Sequence, residues 1–396
     1  MVKKPTYFVF VVALVFFGNI KVFAQISNTG AKLFLDHNAI LYVSGNYLHK
    51  DGQVLNHGKM TVLGDWNSNN RVFEDASTGT VVFNSSSGYL TGTATFPNLI
   101  FKGNGSYYLK GTFNAKLSLD IEDAEIMAST EEALTLLNPD PNALVRSAGY
   151  INTENLDGSF VRYMNTNDEY LYPLGTKSLK RFVKLKPQNT GLAAFAVSFI
   201  DKDPNTGGFN RASKAKSVAE INDIYYHKIK RLSGANAVDA AFLIPLSEKY
   251  QNLVTWVKSA QWDRALSSTS PDKSALAPYL AQTILHKNAD LPLGSDIGFA
   301  LAETTNAGPF EFYNAFSPDG DGKNDTWEIK NIDTFPDNDL KIFDRSGNLV
   351  YRMSGYNSTK YWDGQNVASG TYIYILRVKI DGQDQHFKGS ITMVKK

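Results

Sequence analysis

The chain has 396 residues, with 40 Lys and Arg against 39 Asp and Glu, and no cysteine. That length exceeds one ordinary core and fits roughly two to three domains. A formal charge of +1 gives no footing for nucleic acid or another polyanion. The missing thiols exclude disulfides, thiolate metal sites and cysteine nucleophiles, so stability must come from β-ladders and buried apolar surface.

Residues 1–24 read as a secretory signal peptide. Lys3 and Lys4 form the positive start, residues 8–17 the apolar run, and Val22-Phe23-Ala24 the small-residue site before Gln25. The apolar run falls short of the about 20 residues that a membrane helix needs, so no membrane span is expected after cleavage. Removing the segment takes Lys3, Lys4 and Lys21 and no acid, which keeps the balance near neutral.

Residues 25–135 are predicted to form a short β-solenoid-like domain. Leu41-Tyr42-Val43 aligns with Met60-Thr61-Val62, then with Thr80-Val81-Val82 and with Leu99-Ile100-Phe101. A strand start that returns roughly every 20 residues, closed by a Gly or Asn corner, is the pattern of stacked rungs, none of which can bury its own face alone. An antiparallel meander would give a similar spacing. Asn46, Asn56, Asn84, Asn104 and Asn114 fall at or near corners, where Asn tolerates left-handed backbone. Tyr42, Tyr47, Trp66, Tyr89, Tyr107 and Tyr108 lie on or beside the strands. Alternate ones belong in the core, and a row left outside would suit stacking on surface glycans.

The prolines of Asn138-Pro139-Asp140-Pro141 bias the chain away from regular structure, and a linker is expected there. Residues 145–303 alternate strand-like runs with turns and are predicted to be a β-sandwich, with 274–285 as a short helix. Residues 304–313 read as a second linker. The six histidines are scattered without zinc spacing, and surface or corner placement is expected for them.

Residues 314–396 carry short apolar runs separated by turn clusters, returning roughly every ten residues, the signature of a small Ig-like β-sandwich. The predicted class is therefore all-β throughout: a repeat domain, a middle sandwich and a C-terminal sandwich. Within the last segment stand Asn314, Phe316, Ser317, Pro318, Gly320, Gly322 and Asn324, then Trp327, then Trp362-Asp363-Gly364 and Gly370-Thr371-Tyr372. With Ile342-Phe343-Asp344 and the closing Gly389-Ser390-Ile391-Thr392, these motifs resemble the gliding-motility-associated C-terminal domain, the type B sorting domain of the Bacteroidetes type IX secretion system. The family commonly has Asn where Asp319 stands and often Trp where Ser346 stands. The resemblance implies passage through the periplasm and recognition of the folded domain by the type IX translocon, through an outer-membrane partner barrel. The chain would then be released or held on the outer cell surface. More loosely, Phe160-Val161-Arg162 and Tyr172-Pro173-Leu174-Gly175 resemble domains that sit between solenoid-like heads and such sorting domains in Bacteroidetes surface proteins.

Chemistry is sparse. Asp319, Asp321 and Asp325 alternate with Gly320 and Gly322, a spacing that can wrap a hard cation, and calcium is the candidate. The loop is no EF-hand: Asn324 replaces the required glycine and no glutamate closes it. The alternative reading of the same residues is an Asx-rich turn, in which Asp and Asn cap backbone amides and Gly supplies positive φ. No nucleophile elbow, phosphate loop or dinucleotide fingerprint occurs. Asp36, Asp65, Glu74 and Asp75 are too dispersed to be assigned as a glycosidase pair. A non-enzymatic surface protein acting in adhesion or scaffolding is expected. A secreted carbohydrate-active enzyme and a structural part of the gliding or secretion machinery are the rivals.

Overall fold

The computed structural model describes residues 25–69, 71–154, 157–234, 237–257, 260–265, 267–305, 310–380 and 383–395. The signal-peptide reading of 1–24 and part of the second linker, 306–309, lie outside the described residues. Strand accounts for 57% and helix for 3%, which settles the all-β class.

The N-terminal part is a β-solenoid of about six turns with three faces. On the first face, Ile40–Val43, Lys59–Val62, Thr80–Phe83 and the end of Ser87–Phe101 pair in parallel. On the second, the start of Asn46–Asn56 is followed by Trp66–Ser68 and the starts of Ser87–Phe101 and Ser106–Asp120. On the third, the middles of Ser87–Phe101 and Ser106–Asp120 lead to Leu134–Leu136. Parallel register puts like positions above one another, so inward residues form columns. Tyr47, Trp66, Leu90 and Leu109 make one, with Tyr47 and Trp66 stacked at 4.6 Å. Each rung is completed only by its neighbours.

Glycine makes the bend between the second and third faces. Gly92 and Gly111 pair across rungs at φ +94° and +145°, the half of backbone space that side chains avoid. A Cβ on Gly92 would sit 1.7 Å from the Ser68 carbonyl oxygen, and one on Gly111 1.9 Å from that of Gly92. Asn46 and Asn56 brace other corners, their Oδ1 atoms accepting from the Asp65 and Gly58 amides.

The stack does not stop where the sequence places a linker. Asp140 caps a short 3-10 turn at Pro141–Ala143, and Leu144–Val145 then pairs onto the end of Ser106–Asp120. The prolines fall at a corner, where a missing amide leaves no ladder bond unmade. Tyr150–Asn152 continues the second face and Phe160–Met164 the third. Phe160–Met164 pairs in parallel with Leu134–Leu136 on one side and antiparallel with Ala193–Ile200 on the other. The third face thereby becomes one sheet of the sandwich.

That sheet runs on through Tyr226–Ser233, Asp296–Thr304 and Asn252–Val257. The facing sheet is Tyr170–Tyr172, Val183–Pro187, Ala237–Pro245, Ala281–Asp290 and Ser267–Pro271. Ala281–Asp290 is a strand where a helix over 274–285 was expected; its ladder to Ala237–Pro245 outweighs local propensity. One apolar cluster joins Trp66 and Phe113 of the solenoid to Phe195 and Phe242 of the sandwich.

The C-terminal part has its own core around Trp327, Tyr356 and Trp362. Its five-stranded sheet runs Ala315–Phe316, Gln383–Met393, Gly370–Ile380, Asn338–Phe343, Leu349–Ser354. The second layer is a short ribbon, Glu311–Phe312 with Ile329–Lys330.

Two histidines depart from the expected surface placement. His49 is buried in the solenoid core, and His227 lies buried between the sandwich sheets. The His227 ring packs on Phe199 and Phe242, with Nε2 3.0 Å from the Arg181 carbonyl. Burial lowers its pKa to about 4.

Candidate functional site

The motif residues of the C-terminal domain converge through a small number of distinctive contacts. Trp327 is the centre: its amide donates to the Trp362 carbonyl at 2.7 Å and its Nε1 to the Tyr313 carbonyl at 2.6 Å. The buried Tyr356 hydroxyl donates to the Trp327 carbonyl and accepts from the Trp362 amide at 2.9 Å, and burial pushes its pKa upward. Phe316 packs on Trp362, and Tyr372 meets Trp362 edge-on. Asp363 turns the chain by accepting from the Gln365 amide. Gly364, at φ +67°, leaves room for Met393, whose Sδ would lie 2.1 Å from an added Cβ. The Asn314 carbonyl accepts from the Thr392 amide, and Gly370 pairs with Met393. The first and last motifs are thus sewn together at one edge of the sheet. Tyr356 was not singled out in the sequence, where a lone tyrosine in a turn-rich stretch carries no signal.

The acidic loop at the entry of this domain is a built turn. The Asp325 carboxylate accepts from the Gly320 and Gly322 amides at 2.7 and 2.8 Å. Asp321 accepts from the Lys323 amide at 2.8 Å, and the Asn324 carbonyl from the Ser317 amide. Gly320, Gly322 and Asn324 all take positive φ, as the Asx-turn reading requires. The same geometry gathers oxygens of Asp319, Asp321 and Asp325 within 4.8 Å of one another. These are the residues that could hold a cation, although both Asp325 oxygens already serve the backbone. Pro318 precedes the turn and makes no side-chain hydrogen bond of its own.

On the solenoid, the aromatic row divides. Tyr47, Trp66 and Tyr107 are core, while Tyr42 and Tyr89 are 58% and 41% exposed. Tyr89 stacks on Tyr108 at 4.9 Å, and Lys110 Nζ lies 4.4 Å from the Tyr89 centroid. Tyr89 is covered by Tyr108 and by the Lys110 cation, which leaves that ring little open face for a sugar. The third face carries a groove of about 450 Å³ lined by Phe73, Glu74, Asp75, Thr95 and Asn114 among others. Its carboxylates are engaged: Glu74 pairs with Lys32 at 2.8 Å and Asp75 with Arg71. The hydrogen bond from Arg71 holds the Asp75 carboxyl below its ordinary range. Asp36 and Asp65 lie elsewhere, Asp36 beside His37 and Asp65 at the Tyr89 amide.

The fold is thus a β-solenoid continuous with a sandwich, followed by a C-terminal β domain with a core of its own. Residues 310–393 match the family model of the CHU_C type IX secretion signal domain. The chain therefore carries a C-terminal type IX sorting domain, which implies secretion or a cell-surface location. No curated protein and no solved structure is significantly similar to the chain. Among the described residues, no helix is long and apolar enough to cross a membrane.

Proposed function

We propose that the chain passes from the periplasm through the type IX translocon, by way of an outer-membrane partner barrel, and works outside the cell as an adhesion or scaffolding protein. The match at 310–393 carries the export half of this reading. Support for a role without a chemical step comes from the groove on the solenoid. A glycosidase needs one carboxyl held protonated by a raised pKa. Here the hydrogen bond from Arg71 favours the ionised form of Asp75, and Glu74 is engaged in an ion pair with Lys32. Long parallel faces offer repeated surface, which suits binding by shape; surface glycans are one class of ligand.

Export is tested by deleting 314–396. The passenger core closes without that segment, so the truncated chain should fold and accumulate in the periplasm. Surface labelling at the wild-type level would defeat the reading. Glycan-array binding without turnover supports the adhesin; release of reducing ends from a polysaccharide would move the assignment to a carbohydrate-active enzyme. Co-purification with the translocon at fixed stoichiometry would make the chain part of the machinery.

A further inference from the structure

The C-terminal sheet covers its core with one face and turns the other to solvent, and such a sheet ordinarily alternates apolar inward with polar outward. Gly370–Ile380 obeys the rule on the inside, where Tyr372, Tyr374, Leu376 and Val378 are buried. It breaks the rule on the outside. Ile373 and Ile375 are 48% and 40% exposed, and Leu349 is 53% exposed on the edge strand Leu349–Ser354, one strand beyond Asn338–Phe343.

Register shows what surrounds them. In one row across four strands, Leu349 stands opposite Phe343, Phe343 opposite Ile373, and Ile373 opposite Ser390. In the next row, Arg352 stands opposite Lys341, Lys341 opposite Ile375, and Ile375 opposite Lys388. An apolar row thus lies beside a row with cations on both sides of its isoleucine. Asp339 alone serves two of them, at 3.2 Å from Arg352 and 3.9 Å from Lys341. A contiguous apolar patch with a charged rim marks an interaction surface.

We infer that this face is the docking surface for a protein of the export machinery that presents an apolar centre bounded by carboxylates. The inference rests on the sorting reading given above. A second copy is the weaker occupant, because an isologous contact over this face would bring Lys341, Arg352 and Lys388 toward their own symmetry mates. A bilayer is weaker too, since half-exposed side chains on a flat sheet reach little into lipid, whereas they can meet another protein face along its length.

The test uses the full-length chain in its native host, with two variants. Ile373→Thr with Ile375→Thr keeps the β-branch that the strand favours; Lys341→Glu with Lys388→Glu reverses the rim and leaves the core untouched. Each should melt near the wild-type temperature and lower the surface or medium fraction by about tenfold, as expected on losing central anchors of an interface. Ile40→Thr, on the exposed start of the solenoid, should be exported normally. The inference is overturned if both variants fold and are exported at the wild-type level. It is equally overturned if they lose only self-association or binding to anionic vesicles while export is unchanged. Deletion of 314–396 separates the two readings: blocked export of the deletion with normal export of the face variants sinks only the docking face, and normal export of the deletion sinks the sorting reading itself.

Discussion

The solenoid and the C-terminal domain are both β structures without disulfides, yet they are held by different kinds of closeness. At the solenoid corners, backbone lies against backbone: the Ser68 and Gly92 carbonyls fill the places where Gly92 and Gly111 would carry side chains. In the C-terminal domain, the tight place at Gly364 is filled by the Met393 side chain. A side chain can change rotamer and a stacked backbone cannot. Repetition makes the solenoid regular along its length and unforgiving at its corners. The C-terminal domain has no such repeat and can give at a single point.

The strongest test of this contrast is a pair of identical substitutions. Gly111→Ala should cost about 3 kcal/mol or more, combining a backbone clash with positive φ. Gly364→Ala should cost about 1–2 kcal/mol, because Met393 can move. The separate cores should give separate transitions in urea, each shifted only by its own variant. Equal costs, or a shift in the wrong transition, would break the comparison.

Acid should sharpen it next. The folded pKa of His227, about 4, lies below the ordinary value near 6.5. The unfolded chain therefore binds the proton first as pH falls. The stability contributed by the neutral ring is complete above about pH 6.5 and lost progressively down to about pH 4, on the order of 3 kcal/mol. The passenger transition should weaken across that window and His227→Gln should flatten its slope. An unchanged slope in the variant would show that another group governs acid sensitivity.

The smallest effect belongs to the entry loop. Asp325→Ala removes the acceptor for two amides and should lower the C-terminal melting transition by about 1 kcal/mol, with or without calcium. If calcium raises the wild-type transition, and Asp319→Asn with Asp321→Asn abolishes the rise, the loop is also a cation site. Absence of any calcium-dependent shift leaves the carboxylates as turn caps alone.

Much of this architecture is legible in the chain because alternation and turn residues are local properties. The recurring strand starts at Leu41, Met60, Thr80 and Leu99 mark the first solenoid face correctly. The other two faces escape notice because their bends fall inside long strands, at Gly92 and Gly111, where a lone glycine reads as a weak spot in a β run. The junction at 138–141 is misread for a related reason: proline signals a break, and only the neighbouring rung shows that the break is a corner. His227 is hidden because burial of a histidine depends on partners distant in sequence, here the Arg181 carbonyl and Phe242. In the C-terminal domain the motif glycines and tryptophans stand out, while Tyr356, which ties two of them together, does not.

The passage of the third solenoid face into the sandwich sheet, through Leu134–Leu136, Phe160–Met164 and Ala193–Ile200, removes the place where a hinge would lie. A body fixed at its C-terminal end would carry the solenoid as a stiff spur. Its height is set by rung count: about six turns at about 4.8 Å each project roughly 30 Å. Duplicating one repeat of about 20 residues would lengthen the spur by a single strand spacing and leave the fittings at both ends unchanged.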